Sequence, residues 1–255
     1  MQRRTNDRLW SGDRLVAAYA NRRLRPVEVD ILIRYRDDLS GRVLELGCGA
    51  GRLTGYLAEI ARVVRGIDLS ASMVEYSRQR YPAASFAEGD LRDMAVFGPD
   101  PWDAIVAPYN IVDVLDDTDR QLLLDHVHDS LAPGGVFVMS SHNRAVESHL
   151  GDPAKLVGVS LADAAASLGR LPRWWRNRRR LTPFERREPS YAILNDPGHD
   201  YSVLHYYITR DAQQHQLEVH GFQLLESLDL EGGRVEAGEA AAHSSELHYV
   251  ARRIG

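Results

Sequence analysis

The sequence predicts a doubly wound α/β fold, in which helices cover both faces of a mostly parallel sheet. Three observations support it: short apolar runs alternate with helical patterns, the connections are short, and a glycine-rich turn follows the first run. The apolar runs, which predict strands, are residues 42–46, 63–67, 84–87, 103–107 and 136–140. Helices are predicted between them over residues 52–62, 70–80 and about 117–131. In the last of these, Leu122, Leu123 and Val127 are expected to face the core.

The alternation stops after Ser140. Residues 144–205 are too many for a simple loop and predict a partly helical insertion. A helix is predicted at about 210–220, followed by strands over 222–230 and 247–253. Residues 1–38 predict a helical cap, whose candidate buried positions are Leu15, Tyr19, Val27, Val29 and Ile33.

Composition excludes several classes of protein. The chain has 255 residues, 44% of them hydrophobic, and a net charge of -5, so neither nucleic acid nor an anionic membrane is an expected partner. No apolar run approaches the roughly 20 residues of a membrane span, and no apolar stretch follows the basic start as in a secretory signal. Cys48 is the one cysteine, so no internal disulfide forms and a cytoplasmic location is expected.

The most informative segment is the glycine-rich turn over residues 45–51, ELGCGAG. Glycine permits positive φ angles and close approach of a ligand to the main chain. Asp68 follows Gly49 by 19 residues and ends the next predicted strand, where a carboxylate can bind both hydroxyls of a ribose. Nicotinamide and flavin enzymes use a similar turn, but with the spacing G-x-G-x-x-G. Within this turn, Cys48 is interpreted as a small buried residue and not as a nucleophile.

Four segments, in order, resemble the class I S-adenosylmethionine-dependent methyltransferases. The pattern E-x-G-x-G-x-G at residues 45–51 resembles motif I of that family. Residues 66–73 (GIDLSASM), 89–91 (GDL) and 131–135 (LAPGG) are similar to its later segments. The resemblance implies a Rossmann-like sheet of seven strands, the last one antiparallel, and S-adenosyl-L-methionine as cofactor.

The resemblance also implies roles for individual residues. Asp68 would hold the ribose, Asp90 would bond the adenine amine, and Glu45 would orient the glycine turn. Other residues would contact the cofactor through their backbone or side chain: Gly47, Gly49, Gly51, Leu69, Met73 and Leu91. Tyr109 and Asn110 would border the sulfonium, unless they only turn the chain, and Tyr19 would close over the cofactor, unless it only packs in the core.

The resemblance gives a single methyltransferase domain over residues 1–255. Its parts are the helical cap (1–38), a cofactor-binding half (39–143), a substrate-lid insertion (144–205) and a C-terminal helix with a strand pair (206–255).

Two histidines are the candidate catalytic residues. His142 follows the fifth strand, where the acceptor is expected, and imidazole has the pKa range of a general base. His205 is the second candidate, on a predicted strand where Tyr201, Val203 and Tyr207 would share its face. A structural role for either histidine stays open. Asp113 is a further candidate contact or a helix cap.

No metal site is predicted, because spacings such as C-x-x-C and H-E-x-x-H are absent from the sequence.

Residues 170–188 hold eight arginines against two glutamates. They are interpreted as a solvated helix, a lid that recognises an anionic or aromatic acceptor, a membrane contact, or a nucleic-acid surface.

The predicted function is methyl transfer to an O or N atom of a small-molecule acceptor, by a monomer or homodimer. The alternatives are an RNA or protein methyltransferase, a non-catalytic cofactor-binding scaffold and, more remotely, a nicotinamide oxidoreductase.

Overall fold

A computed structural model describes residues 20, 22–149 and 161–255. Helices α1 to α6 are Pro26–Arg34, Thr54–Leu57, Ala71–Arg80, Asp117–Ser130, Leu161–Leu181 and Arg210–Val219. Strands β1 to β5 are Arg42–Leu46, Val63–Asp68, Ser85–Glu88, Trp102–Ala107 and Leu131–Asn143. Strands β6 to β10 are Arg186–Arg187, Tyr191–Leu194, His205–Ile208, Phe222–Leu228 and Glu246–Arg253. Among the described helices, none is long and apolar enough to cross a membrane.

The described strands form one ten-stranded sheet that contains the predicted seven. Strands β3, β2, β1, β4 and β5 are neighbours in that order and run parallel. The final strand β10 is antiparallel to both β5 and β9, between which it lies. The doubly wound prediction and its antiparallel last strand are therefore confirmed.

The insertion adds the other three strands, β6, β7 and β8. Strand β8 pairs with β5 in parallel, with His142 opposite Tyr207. On its other edge, His142 pairs with Glu246 of β10. A strand has only two edges for pairing. Strand β8 therefore pairs with the same edge of β5 as β4 does, but beyond Met139, where the pairing with β4 ends. The insertion thus extends the sheet beyond the carboxyl end of β4, beside the end of β5.

Alternate residues of the central strands point to opposite faces of the sheet and pack in two separate apolar layers, as expected for a sheet covered on both faces. One layer joins strand residues such as Leu44 and Phe137 to helices α4 and α6, through residues including Leu123 and Leu217. The opposite layer joins Val43, Val106 and Val138 to α1 and the α2 region, through Val27, Ile31, Leu53 and Leu57.

The structure corrects the predicted inward faces of two helices. In α4 the buried apolar positions are Leu123, Leu124 and Val127, whereas Leu122 is 40% exposed. In α1, Val27 and Ile31 are buried one helical turn apart, which leaves Val29 and Ile33 exposed. Leu15 and Tyr19, also predicted as buried, lie outside the described residues.

Two predicted elements are shorter than expected. The helix over 52–62 is reduced to Thr54–Leu57, flanked by turns, in a segment that contains the poor helix formers Thr54 and Gly55. The predicted strand over 201–207 begins only at His205, because Tyr201 has a positive φ of 58° within a 3₁₀ turn. Tyr201 therefore does not share a strand face with His205.

A buried ion pair joins α4 to the 3₁₀ turn Ile111–Val114 that follows β4, beside the end of β5. Arg120 and Asp113 are both fully buried, and Arg120 Nη1 donates to Asp113 Oδ1 at 2.6 Å. The rest of the guanidinium donates to Gln213 and Gln216 of α6 and to Ser141 of β5. Each nitrogen of the Arg120 guanidinium therefore has a hydrogen-bond partner, as a buried charge requires.

Arg120→Met leaves the Asp113 carboxylate buried without its cation. We expect the free energy of unfolding to fall by about 3–5 kcal/mol, the usual cost of removing one partner of a buried pair. Arg80→Met, at an exposed position of α3, is the control and should change stability by less than about 0.5 kcal/mol. Equal urea midpoints for the two variants would contradict a structural role for the pair.

Candidate active site

A cavity of about 360 Å³ opens at the carboxyl ends of β1, β4 and β5. A second cavity of about 70 Å³ adjoins it and shares Gly47, Asp68, Ile111 and Val114 in its wall. The ends of parallel strands are where open α/β sheets bind ligands. The insertion closes the far side of the larger cavity with residues 196–199, His205 and Tyr207.

The three glycines of the turn after β1 have different reasons to be glycine. All have positive φ: 65° at Gly47, 52° at Gly49 and 77° at Gly51. A Cβ at Gly47 would meet Ile111, and one at Gly51 would meet Tyr81, so those two are required by packing within the protein. A Cβ at Gly49 would meet no protein atom within 4 Å. The space that a side chain at Gly49 would occupy is therefore part of the larger cavity.

Asp68 ends β2 and braces the glycine turn. Its Oδ2 accepts the backbone N–H of Gly49 at 2.8 Å, and its Oδ1 accepts that of Ser70 at 2.9 Å. Ser70 in turn caps α3 by accepting the N–H of Met73. The Asp68 carboxylate lines both cavities, and burial raises its pKa from the usual value. It is fixed where the two cavities meet.

Glu45 lies beneath the turn and is 2% exposed. Its carboxyl accepts a hydrogen bond from Thr54, and burial raises its pKa to about 8. A carboxyl with this pKa is largely protonated at neutral pH and becomes ionised when a cation binds beside it. It can therefore meet a positively charged ligand without carrying an uncompensated charge beforehand.

The smaller cavity is lined by Leu69, Asp90 and Leu91. Asp90 is held by Arg92, whose backbone N–H and Nε donate to Asp90 Oδ1 at 3.0 and 2.7 Å. A mostly apolar pocket with the Asp90 carboxylate in its wall suits a purine ring that carries an exocyclic amine.

Tyr109 and Asn110 follow β4 in left-handed backbone conformations, with φ of 59° and 57°. Such strain in non-glycine residues concentrates at functional sites. The Asn110 side chain donates to Glu246 at 2.8 Å. The guanidinium of Arg25 lies 4.3 Å from the centre of the Tyr109 ring, and that of Arg52 lies 5.3 Å from it. These contacts fix the tyrosine in the cavity wall.

His142 enters the cavity with a fixed orientation. Its backbone N–H and its ring Nδ1 both contact Asp113 Oδ2, at 2.6 and 2.7 Å. Burial alone raises the pKa of Asp113, but the bond from His142 and the charge of Arg120 outweigh it and hold that pKa below the usual value. Asp113 is thus ionised and can only accept, so Nδ1 carries a proton and, in the neutral ring, Nε2 has the lone pair.

A second histidine has the same kind of support. His205 Nδ1 contacts Asp196 Oδ2 at 2.7 Å, and the Tyr207 hydroxyl donates to the same oxygen at 2.6 Å. The ring centres of His142 and His205 are 5.0 Å apart. Burial opposes the charged form of His205, but Asp196 outweighs it and the pKa of His205 is raised. Two carboxylate-bound imidazoles therefore face one another across the acceptor end of the cavity.

Most of the predicted site residues meet in these two cavities. The larger is lined by Glu45, Gly47, Gly49, Asp68, Met73, Tyr109, Asn110, His142 and His205, and the smaller by Leu69, Asp90 and Leu91. Gly51 instead packs behind the turn, and Tyr19 lies outside the described residues. Asp113 lies at neither cavity surface but holds His142. Asp196 and Arg25 line the cavity without having been predicted, because neither lies in a recognisable motif.

The residues present fit S-adenosylmethionine. The space at Gly49 admits a ligand against the main chain, Asp68 stands between the cavities as a ribose carboxylate must, and Glu45 is poised for a cation. The adjoining cavity suits the adenine. None of these features is needed merely to close a βα turn.

Comparison with known proteins agrees with this geometry. Residues 43–135 match the family model described as a methyltransferase domain. A trans-aconitate 2-methyltransferase of Paracidovorax citrulli (strain AAC00-1) is 34% identical over 139 residues, which are 53% of this chain and 52% of the relative. The chain thus spans about half the length of this curated relative.

Solved structures share the fold. A S-adenosylmethionine-dependent methyltransferase from Clostridium acetobutylicum ATCC 824 superposes with a TM-score of 0.61 at 15% identity, covering 95% of this chain and 96% of the other. The glycopeptide N-methyltransferase MtfA, complexed with S-adenosyl-L-methionine, gives a TM-score of 0.58 at 19% identity, covering 92% and 96%. These similarities support a class I S-adenosylmethionine-dependent methyltransferase domain over residues 43–135, on a Rossmann-like fold, with S-adenosylmethionine as the cofactor.

Gly49→Ala tests whether the space at the turn is for the cofactor. Gly134 is a matched control, since it also has a positive φ (76°) and no atom within 4 Å of an added Cβ, but lies away from the cavity. Both alanines should cost about 1–2 kcal/mol of stability through backbone strain. Calorimetric titration should show S-adenosylmethionine affinity lowered at least about tenfold by Gly49→Ala alone. Equal affinities in the two variants would contradict this assignment.

Proposed function

We propose that this protein transfers the methyl group of S-adenosylmethionine to an oxygen or nitrogen atom of a small-molecule acceptor. The observation that carries the proposal is the continuity of one cavity, which runs from the glycine turn and Asp68 to the paired histidines His142 and His205. The cofactor, when bound, supplies an already activated methyl group. The remaining task of the protein is to hold the acceptor in line and to handle its proton.

Positioning is the first contribution of the chain. The acceptor end is walled by Tyr109, Tyr207 and residues 196–199, so a small molecule is confined on several sides. Fixing two reactants in this way can lower the barrier by about 7–11 kcal/mol. Burial of the tyrosine and histidine rings around the acceptor also limits the access of water to the reacting atoms.

Proton transfer is the second contribution. A hydroxyl or ammonium acceptor must lose a proton during transfer, and His142 Nε2 has a lone pair directed by the bond between Nδ1 and Asp113. The side chain of His142 is 20% exposed, against 8% for that of His205, so His142 is the more accessible of the two. We assign His142 as the proton acceptor and His205 as the second group that contacts the acceptor.

A small acceptor also accords with the arginine-rich segment. Arg170 and Arg173 pair with Asp200, Arg178 donates to the backbone of Asn195, and Arg187 pairs with Glu147. These four of the eight arginines hold the insertion together and so are engaged within the protein, which disfavours the RNA alternative. The names of similar proteins, which include a trans-aconitate and a glycopeptide methyltransferase, point to small acceptors as well.

His142→Gln should lower the transfer rate while leaving cofactor binding intact. With a small-molecule acceptor identified by radiolabelled methyl transfer, we expect kcat to fall about 10²–10⁴-fold, the usual contribution of a general base. The control is His243→Gln, because His243 is an exposed histidine that also pairs with a carboxylate, that of Asp229. This control should leave kcat unchanged. An unaltered kcat in His142→Gln would remove His142 from the reaction, and absence of transfer by the wild-type protein would favour the scaffold alternative.

A further inference from the structure

The two cavity histidines have the same unusual arrangement. His142 Nδ1 contacts the fully buried Asp113, and His205 Nδ1 contacts the buried Asp196, each at 2.7 Å. Each neutral ring therefore presents its Nε2 lone pair away from its carboxylate. A single general base needs one such pair, and the cavity has two, with their ring centres 5.0 Å apart.

The bond between His142 Nδ1 and Asp113 is the one that metal-binding histidines show. A ligating imidazole almost always donates its other ring N–H to a carboxylate or carbonyl, which fixes the tautomer and makes the ligating nitrogen more basic. Among the described residues, His142, Asp196 and His205 each offer one ligand atom, and the three atoms lie within 4.8 Å of one another. We infer that this triad binds a divalent transition-metal ion such as Zn²⁺ or Fe²⁺. His142 would bind the ion through Nε2, and the ion would take the place of the His205 Nδ1 proton, beside Asp196.

The donor set selects the class of ion. Two imidazoles and one carboxylate suit Zn²⁺ and Fe²⁺, with coordination positions left for another ligand. Mg²⁺ and Ca²⁺ prefer sets made of oxygen atoms and are excluded by the same chemistry. The ion would replace the hydrogen bond from His205 to Asp196, and the Tyr207 hydroxyl and the backbone of Gly198 would still donate to that carboxylate.

Binding requires a small closure of the triad. Ligand atoms that share one ion at about 2.1 Å are roughly 3.4 Å apart in a tetrahedral site. The observed 4.8 Å limit therefore leaves at most about 1.4 Å to close.

A bound ion would change how the acceptor proton is handled. One lone pair cannot bind a metal and a proton together, so in the metal-loaded protein the ion acts on the acceptor in place of His142. An acceptor oxygen that occupies an open coordination position has its pKa lowered by the ion. The acceptor would then be a molecule with an oxygen able to coordinate the metal. The metal site itself does not depend on the proposed methyl transfer.

The test is metal binding by tag-free, full-length protein, since a polyhistidine tag binds the same ions. Protein stripped with EDTA and dialysed is titrated with Co²⁺ while its visible absorption is followed, and Zn²⁺ and Mg²⁺ are added as competitors. We expect one equivalent of Co²⁺, displaced by Zn²⁺ and not by Mg²⁺. His142→Ala and His205→Ala should each weaken binding at least about tenfold, whereas the exposed control His243→Ala should not.

Stabilisation of each variant by S-adenosylmethionine is measured in the same samples. It shows that a variant is folded, and it separates the metal inference from the proposed function. Absence of stoichiometric Co²⁺ binding, or equal binding by wild type and His142→Ala, would overturn the metal site even where the cofactor still binds. Because His142 is partly exposed, its alanine variant stays informative if His205→Ala fails to fold.

Discussion

The buried carboxylate of Asp113 is the point at which sheet, helices and cavity are joined. A fully buried charge is stable only when it is paired and hydrogen-bonded. Here the partners come from α4, through Arg120, and from the end of β5, through Ser141 and His142. Arg120 extends the same network to α6. The orientation of the His142 ring is therefore set by the packing of the core, and not by a surface loop.

The cofactor half could be predicted because its signals are local in the sequence. Gly49 has a positive φ in the turn after β1, and Asp68 lies at the end of β2, the next parallel strand along the chain. Both constraints act over about 20 residues. Strand alternation and the cap at Ser70 are equally local, so β1 to β4 and α3 were predicted nearly to the residue, whereas β5 extends at both ends beyond the predicted 136–140.

The acceptor half depends on contacts between residues far apart in the chain. His142 and His205 are 63 residues apart and meet only because β8 pairs with the end of β5. Asp196 lies in a turn of Asn-Asp-Pro-Gly type, where an aspartate is usually read as a turn residue. For this reason the sequence predicted His142 and His205 as separate candidates, and neither Asp196 nor a metal-binding arrangement was foreseen. Helix periodicity likewise failed at Leu122, because neighbouring leucines compete for one narrow buried stripe.

The central claim is that Asp68 and the glycine turn bind S-adenosylmethionine in this cavity. Thermal unfolding of the wild-type protein and of Asp68→Ala, with S-adenosylmethionine, S-adenosylhomocysteine or NAD, tests it most directly. Both adenosyl ligands should stabilise the wild type, by about 2.7 kcal/mol at 100 times the dissociation constant. NAD should have no effect, and Asp68→Ala should lose the stabilisation. Stabilisation by NAD alone, or an equal response of Asp68→Ala to S-adenosylmethionine, would contradict the account.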